Sequence, residues 1–259
     1  MNEALENTNI PEVSVIMPAY NCERYIEEAV RSVMAQTVRD WELIVLDDGS
    51  ADSTCDVVRR LMEEDPRITL HQNPENMGVA KTRNKGLAMS RGKYVALLDS
   101  DDVWYPEKLE KQLALALQTG ADVIYCSYGI IDETGAKRCD DFIVPSATTY
   151  EDTLVQSVIS CSTALLSREV CDRYAFLPAC YHEDLLLWLQ ILRDGNEARG
   201  VTEVLADYRV LQGSRSFNKW NSAVQRWKIY REYMKEPFLK SIIRISQYAL
   251  LALKKYKKV

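Results

Sequence analysis

The sequence predicts an α/β fold: a mixed, mostly parallel sheet flanked by helices, with a helical extension at the C-terminus. Three observations lead there. Short β-branched apolar runs alternate with helical patterns at βαβ spacing through the first half of the 259 residues. Those runs are apolar almost without interruption, as strands buried on both faces must be. Beyond residue 218 the pattern changes to a long helical and basic stretch. The expected division is one large domain over 1–218 and an extension over 219–259.

The elements follow in order. Val13–Met17 reads as a strand ended by Pro18, and residues 24–36 place apolar side chains near helical spacing. Trp41–Leu46 is a second strand, stopped by Asp47-Asp48-Gly49. Asp52 and Ser53 are positioned to cap a helix reaching about Glu64. Ile68–His71 is a third strand, Gly78–Ser90 a helix, and Tyr94–Leu98 a fourth strand. Pro106 stands where a first-turn proline is tolerated and opens a helix to about Gln118, before a fifth strand at Val123–Ser127. The second half is less regular. Residues 133–149 read as a loop or edge hairpin, Tyr150–Val158 as a helix, Thr163–Leu166 as a strand, Leu185–Arg193 as a helix and Val201–Val210 as a strand. Residues 222–258 look helical, interrupted at Pro237.

Composition narrows the function. A chain with 47% hydrophobic and 27% charged residues can bury a large core, which excludes disorder and a disulfide mini-scaffold. No stretch approaches the ~18 apolar residues that cross a bilayer. The opening MNEALENTNI lacks the basic and apolar regions of a cleaved signal. Seven cysteines without a CxxC pair read as reduced thiols, so a cytoplasmic location is expected. The net charge of −6 is uneven. Residues 219–259 hold 11 Lys/Arg against Glu232 and Glu236, a net of +9, which leaves the first 218 residues at −15. An acidic body argues against nucleic acid as partner and for bound cations.

Ligands of open α/β sheets bind at the carboxyl ends of the strands. Three strand ends here carry unusual residues: Pro18-Ala19-Tyr20-Asn21, Asp47-Asp48-Gly49-Ser50, and Asp99-Ser100-Asp101-Asp102. Either acidic motif alone reads as a solvated turn capping the next helix. The two together, each after a buried strand, point to a site. Oxygen ligands without nearby His or Cys select Mg²⁺ or Mn²⁺ over zinc. Glycine-rich phosphate cradles are absent, so a phosphate ligand would be held through metal. The Asp99–Asp101 triplet also resembles the nucleophile motif of haloacid-dehalogenase-type phosphatases, although that family carries it on its first strand.

The whole set resembles a family 2 glycosyltransferase with the GT-A fold. PAYN at 18–21, QT at 36–37, DDGS at 47–50, the NxG…KTRNKGL stretch at 76–87, LLDSDDVWYPEKL at 97–109, HEDLLLWLQIL at 182–192 and DYR at 207–209 stand in family order. The likeness covers about residues 12–216 and is strongest to bacterial cell-surface polysaccharide enzymes of the teichuronic-acid, capsule and O-antigen kind.

That resemblance implies roles. Pro18, Ala19, Tyr20 and Asn21 line the nucleotide site, with Tyr20 stacking on a uracil and Asp48 accepting from its ring N–H. Arg83 approaches the base or diphosphate, Asp99 and Ser100 meet the ribose or donor sugar, and Asp101 holds Mn²⁺ or Mg²⁺ between the phosphates. Asp184 is the general base for an inverting displacement from a UDP-sugar, and Glu183 helps place a saccharide or lipid-linked saccharide acceptor. Arg209, Arg215 and Ser216 belong to a basic loop over the diphosphate. Trp104 and Trp188 are expected in the core. A sugar-nucleotide-binding protein without activity is the reading from another class. The segment 238–258, apolar on one face and basic at its end, suits either peripheral contact with an anionic membrane at its inner face or packing on protein.

Overall fold

The structure, a computed structural model, describes residues 10–211 and 219–256. Strand β1 (Val13–Ala19), helix α1 (Ile26–Met34), β2 (Trp41–Asp47), α2 (Thr54–Glu64), β3 (Ile68–Gln72), α3 (Val79–Met89) and β4 (Tyr94–Leu97) form the first half. β1 runs parallel to both β2 and β4, and β2 parallel to β3. β1 and β2 are buried on both faces, which is why the sequence shows runs rather than alternation, whereas the edge strand β3 is only partly buried. Met17, Val45 and Ala96 belong to a core shared with α1 and α2. Ile16, Leu46 and Leu97 face the opposite side, toward α3. Gly86 lets α3 lie against the sheet, since a Cβ there would stand 2.4 Å from Ile16 Cγ2.

β1 does not stop at Pro18 as expected but continues through it to Ala19. The β1–β4 ladder ends near this point, with Leu98 donating to the Ile16 carbonyl, and Pro18 has the same parity as Ile16. Its missing N–H thus faces a side where no ladder bond is lost.

The second half holds β5 (Val103–Trp104), α4 (Lys108–Thr119), β6 (Val123–Ile131), β7 (Ala147–Thr148), α5 (Tyr150–Val155), a single 3-10 turn at Cys161–Thr163, β8 (Leu165–Ser167), α6 (Arg168–Arg173), α7 (Glu183–Arg193) and β9 (Ala198–Arg209). All strands join one sheet in the order β3-β2-β1-β4-β8-β6-β9-β5, with β7 pairing β9. β8 is antiparallel to β4 and β6, which makes the sheet mixed. Several elements differ from expectation. The two-residue β5 and β7 and the six-residue α6 are too short to leave a periodic signal. α4 begins two residues after Pro106. Residues 133–149 form isolated bridges Ile131–Lys137 and Tyr128–Phe142 before β7. α5 ends at Val155, where Gln156 turns extended, rather than at Val158.

The extension contains α8 (Lys219–Lys228), a π-helical turn at Ile229–Tyr233, and α9 (Phe238–Tyr256). It packs on the domain: Ile229, Tyr230 and Met234 share a buried cluster with Leu154 of α5 and with Leu185, Leu186 and Leu189 of α7. Arg226 fixes the contact by donating to the Thr153 and Leu154 carbonyls, each at 3.0 Å. Trp104, Trp188 and five of the seven cysteines are buried, and all seven cysteines are free.

Candidate functional site

The strand order 3-2-1-4 reverses between β1 and β4, which opens a crevice at their carboxyl ends. The three motifs lie on the adjoining ends of β2, β1 and β4, as the sequence predicts.

The loops after β1 and β2 are laced together. Asn21 takes a left-handed conformation at φ 48°, and its side-chain oxygen accepts from the Ala51 amide at 2.8 Å. Its own amide donates to Ser50 Oγ at 2.9 Å. Asn21 therefore builds the loop, and Tyr20 beside it stands 50% exposed with its ring available at the crevice edge. Asp48 is buried. It accepts from Asn73 Nδ2 and the Met77 amide through Oδ1 and from the Gly78 amide through Oδ2, at 2.8–2.9 Å. Gly78 offers that amide at φ 87°, a conformation side chains avoid. Burial alone would raise the Asp48 carboxyl, but the Met77 amide and Asn73 outweigh it, and it lies below the usual carboxylate range.

At the end of β4 each acid has its own surroundings. Asp99 Oδ1 accepts from Arg83 at 2.6 Å. The other arm of Arg83 donates to Glu183 Oε1 at 3.1 Å, and the guanidinium lies over the Phe176 ring. With side-chain exposures of 5% for both Arg83 and Glu183, the bridge Asp99–Arg83–Glu183 is an internal one, tying the end of β4 to the first turn of α7. Arg83 and Glu183 were expected to touch substrate. Both are buried and paired with each other, and so brace the walls of the site. Ser100 is buried next to Cys22.

Burial, and then the charge of Asp99, push the Asp101 carboxyl up to about 6. Asp102 is fully enclosed and raised well above its ordinary value by burial and by Asp101. It accepts from the Ser162 hydroxyl and from the Arg209 amide. Ser162 also accepts from the Asp99 amide at 3.0 Å, so one hydroxyl spans both ends of the acidic motif. Arg209, with 2% of its side chain exposed, donates to the Asp101 carbonyl at 2.8 Å, to Asp132 and to Glu28. It is a buried brace at the end of β9 rather than part of a loop over the diphosphate. Arg215 and Ser216 lie outside the described residues.

Asp184 sits in the first turn of α7, partly exposed, with Oδ1 accepting from the Leu185 amide at 2.7 Å. Glu183 beside it is the residue held by Arg83, so the bridge fixes where the Asp184 backbone lies. The fully buried Cys161 thiol feels Arg83, Asp99, Asp184 and Glu183 together, which brings both halves of the site around one point.

Among the described residues no three His, Cys, Asp or Glu side chains converge as a metal cage. The donor set nevertheless fits Mg²⁺ or Mn²⁺ held by one carboxylate plus ligand phosphates. The raised Asp101, crowded by Asp99, marks negative charge that a cation would relieve.

Sequence reasoning missed the holders. Asn73 and Ser162 carry no motif around them. Gln36 and Thr37 were recognised only as part of a pattern. Buried Gln36 donates to the Tyr105 carbonyl and accepts from the Leu109 amide, and Thr37 donates to the Pro106 carbonyl. Both lock α1 to the segment that follows the acidic motif.

Comparison with known proteins agrees with this geometry. The profile of Glycosyl transferase family 2 matches residues 14–175. TuaG of Bacillus subtilis, named as a teichuronic acid biosynthesis glycosyltransferase, is 39% identical over 95% of this chain and 97% of its own. WfgD of Escherichia coli, named a UDP-Glc:alpha-D-GlcNAc-diphosphoundecaprenol beta-1,3-glucosyltransferase, is 36% identical over 94% of each. Among solved structures, S. aureus TarS 1–349 in complex with UDP-GlcNAc superposes with a TM-score of 0.72 at 22% identity, over 85% of this chain and 64% of that one. The mannosyltransferase PcManGT from Pyrobaculum calidifontis, in complex with GDP-Man and Mn²⁺, gives 0.70 at 24%, over 94% and 70%. The phosphatase alternative falls with these matches. The chain belongs to glycosyl transferase family 2 and is a glycosyltransferase of GT-A fold.

Proposed function

We propose that the chain moves a sugar from a UDP-sugar to a saccharide or lipid-linked saccharide in bacterial surface polysaccharide synthesis, with inversion at the anomeric carbon. The observation that carries this is the Asp99–Arg83–Glu183 bridge, because it places the strand end bearing Asp101 against the helix turn bearing Asp184. The name of WfgD supports the donor and acceptor classes, and that of TuaG supports a place in surface polysaccharide synthesis.

In this reading the nucleotide lies across the ends of β1 and β2, its base against Tyr20 and its ring N–H toward the Asp48 carboxylate. Asp99 faces the ribose or sugar with the oxygen that Arg83 does not take. Asp184 removes the proton of the acceptor hydroxyl. The acceptor oxygen then forms its bond to the anomeric carbon while the bond from that carbon to the diphosphate oxygen breaks, from the opposite face. Asp101 would hold Mn²⁺ or Mg²⁺, and a bound divalent cation supplies neutralisation of the charge gathering on the leaving diphosphate. Arg209 and Asp102 keep the Asp101 backbone in place. A lipid-linked acceptor puts the reaction at the inner face of the cell membrane, on the cytoplasmic side.

The test is a panel of UDP-sugars and GDP-sugars, with transfer and nucleotide release followed in the presence of Mn²⁺ or Mg²⁺. Release of UDP from one UDP-sugar is expected. Release of GDP alone would overturn the donor assignment, and no release from any donor would favour a binding protein without activity.

A further inference from the structure

The two sides of α9 differ sharply. Its inner side is keyed to the domain. Ile245 packs into the cluster around Leu185 and Tyr230, the Tyr248 ring lies 4.6 Å from the Arg226 guanidinium, Arg244 pairs with Glu151, and Ser241 is fully buried. Its outer side carries Leu239, Ile242, Ile243 and Leu250, with exposures of 74%, 40%, 57% and 61%, and Ser246 between them. At about 100° per residue these five positions fall within roughly 100° of arc, a single stripe along the helix. Scattered exposed apolar side chains are ordinary, but a contiguous row beside a well-packed inner face marks a surface that something covers.

Charge selects the occupant. Residues 237–259 contain six Lys/Arg and no acid, on a chain whose first 218 residues carry −15. Lys240 is exposed next to the stripe. A symmetric pairing of two copies through this face would set one run of cations against the other. A surface apolar below and anionic above suits both features at once. No described helix is long and apolar enough to cross a membrane, so such a helix lies along the surface.

We propose that the outward face of α9 docks the enzyme on an anionic bilayer, with Leu239, Ile242, Ile243 and Leu250 in the interfacial zone and Lys240 beside them at the lipid headgroups. This deepens the lipid-linked-acceptor reading and rests on it. Because Ile245 of α9 packs on the apolar cluster that includes Leu185, Leu186 and Leu189 of α7, the docked helix also holds the element that carries Asp184 in a fixed relation to the membrane.

The full chain is sedimented with vesicles of phosphatidylcholine alone and of phosphatidylcholine mixed with phosphatidylglycerol. Binding is expected only to the anionic vesicles and weakens with added salt. Ile242→Glu combined with Ile243→Glu is expected to lower the partition coefficient at least about tenfold, since it places charge in the apolar stripe. Both side chains face solvent, so the melting temperature of the double variant should match that of the parent. Absence of binding to anionic vesicles, or binding that the double variant retains, would overturn the proposal. So would a dimer in sedimentation equilibrium that the double variant dissociates, which would assign the face to a second copy. UDP affinity is measured on the same samples without vesicles. A chain that binds UDP but no vesicle loses the docking proposal alone, and one that binds vesicles but no UDP loses the donor reading alone.

Discussion

The nucleotide side of the crevice and the acceptor side are built by different means. On the nucleotide side, Asp48, Asp99 and Asp101 stand where their strands end, and the parallel pairing of β2, β1 and β4 brings them together. On the acceptor side, position comes from a bond between residues far apart in the chain, Arg83 to Glu183, and similar long-range bonds, Ser162 to Asp102 and Arg209 to Asp101, brace the acidic motif from behind. The chemistry-bearing acids therefore announce themselves locally, while the groups that hold them do not. The acceptor side should also be the more fragile, since its brace, Arg83–Glu183, is an ion pair buried at both ends whose members cannot turn to water.

That contrast can be broken by mutation. The largest effect is expected at Asp184. Asp184→Asn should lower the rate of transfer about 10²–10⁴-fold, as loss of a general base does, while UDP affinity stays unchanged. Single-turnover transfer with a titration of UDP separates the two quantities. Next is Arg83→Leu, which leaves the buried Glu183 and the part-exposed Asp99 without their cation. It should cost about 3–5 kcal/mol of stability in urea unfolding, the range for breaking a buried pair. A loss near that of a surface pair would refute the bridge. Asp101→Asn should lower transfer about 10²–10³-fold and reduce the response to added Mn²⁺, with little change in melting temperature. Tyr20→Ala should weaken UDP by about 1–3 kcal/mol, the worth of stacking a base on an aromatic ring, without altering the fold.

The smallest effect is a dependence on pH. Asp101 retains its proton in the folded chain up to about pH 6, whereas the unfolded chain releases it near the ordinary 3.8. In this window the native state binds more protons, so this group's contribution to metal-free stability declines as pH rises through it. Metal competes with the same proton. Mn²⁺ affinity should therefore fall when pH is lowered through about 6, a trend that calorimetry at several pH values checks.

Much of the first half was legible because buried parallel strands leave apolar runs, and the turns after them carry residues that a strand would not tolerate. Tyr20, Asp48, Asp99 and Asp101 lie at the strand ends where the motifs put them. What stayed hidden is long-range. Nothing around Ser162 signals that its hydroxyl closes on Asp102 sixty residues earlier. Arg83 and Arg209 read as basic groups for phosphate because a sequence shows charge but not burial. The continuation of β1 through Pro18 was hidden for a similar reason: whether a missing N–H costs a bond depends on where the neighbouring strand ends. β5, β7 and α6 were too short to carry a period.

The central claim is that this crevice holds a uridine diphosphate through Tyr20, Asp48 and a cation at Asp101. Calorimetric titration of UDP and of GDP, each with and without Mn²⁺, tests it most directly. The account predicts binding of UDP in preference to GDP that strengthens with Mn²⁺. Equal or stronger binding of GDP, or binding of UDP indifferent to the metal, would contradict it.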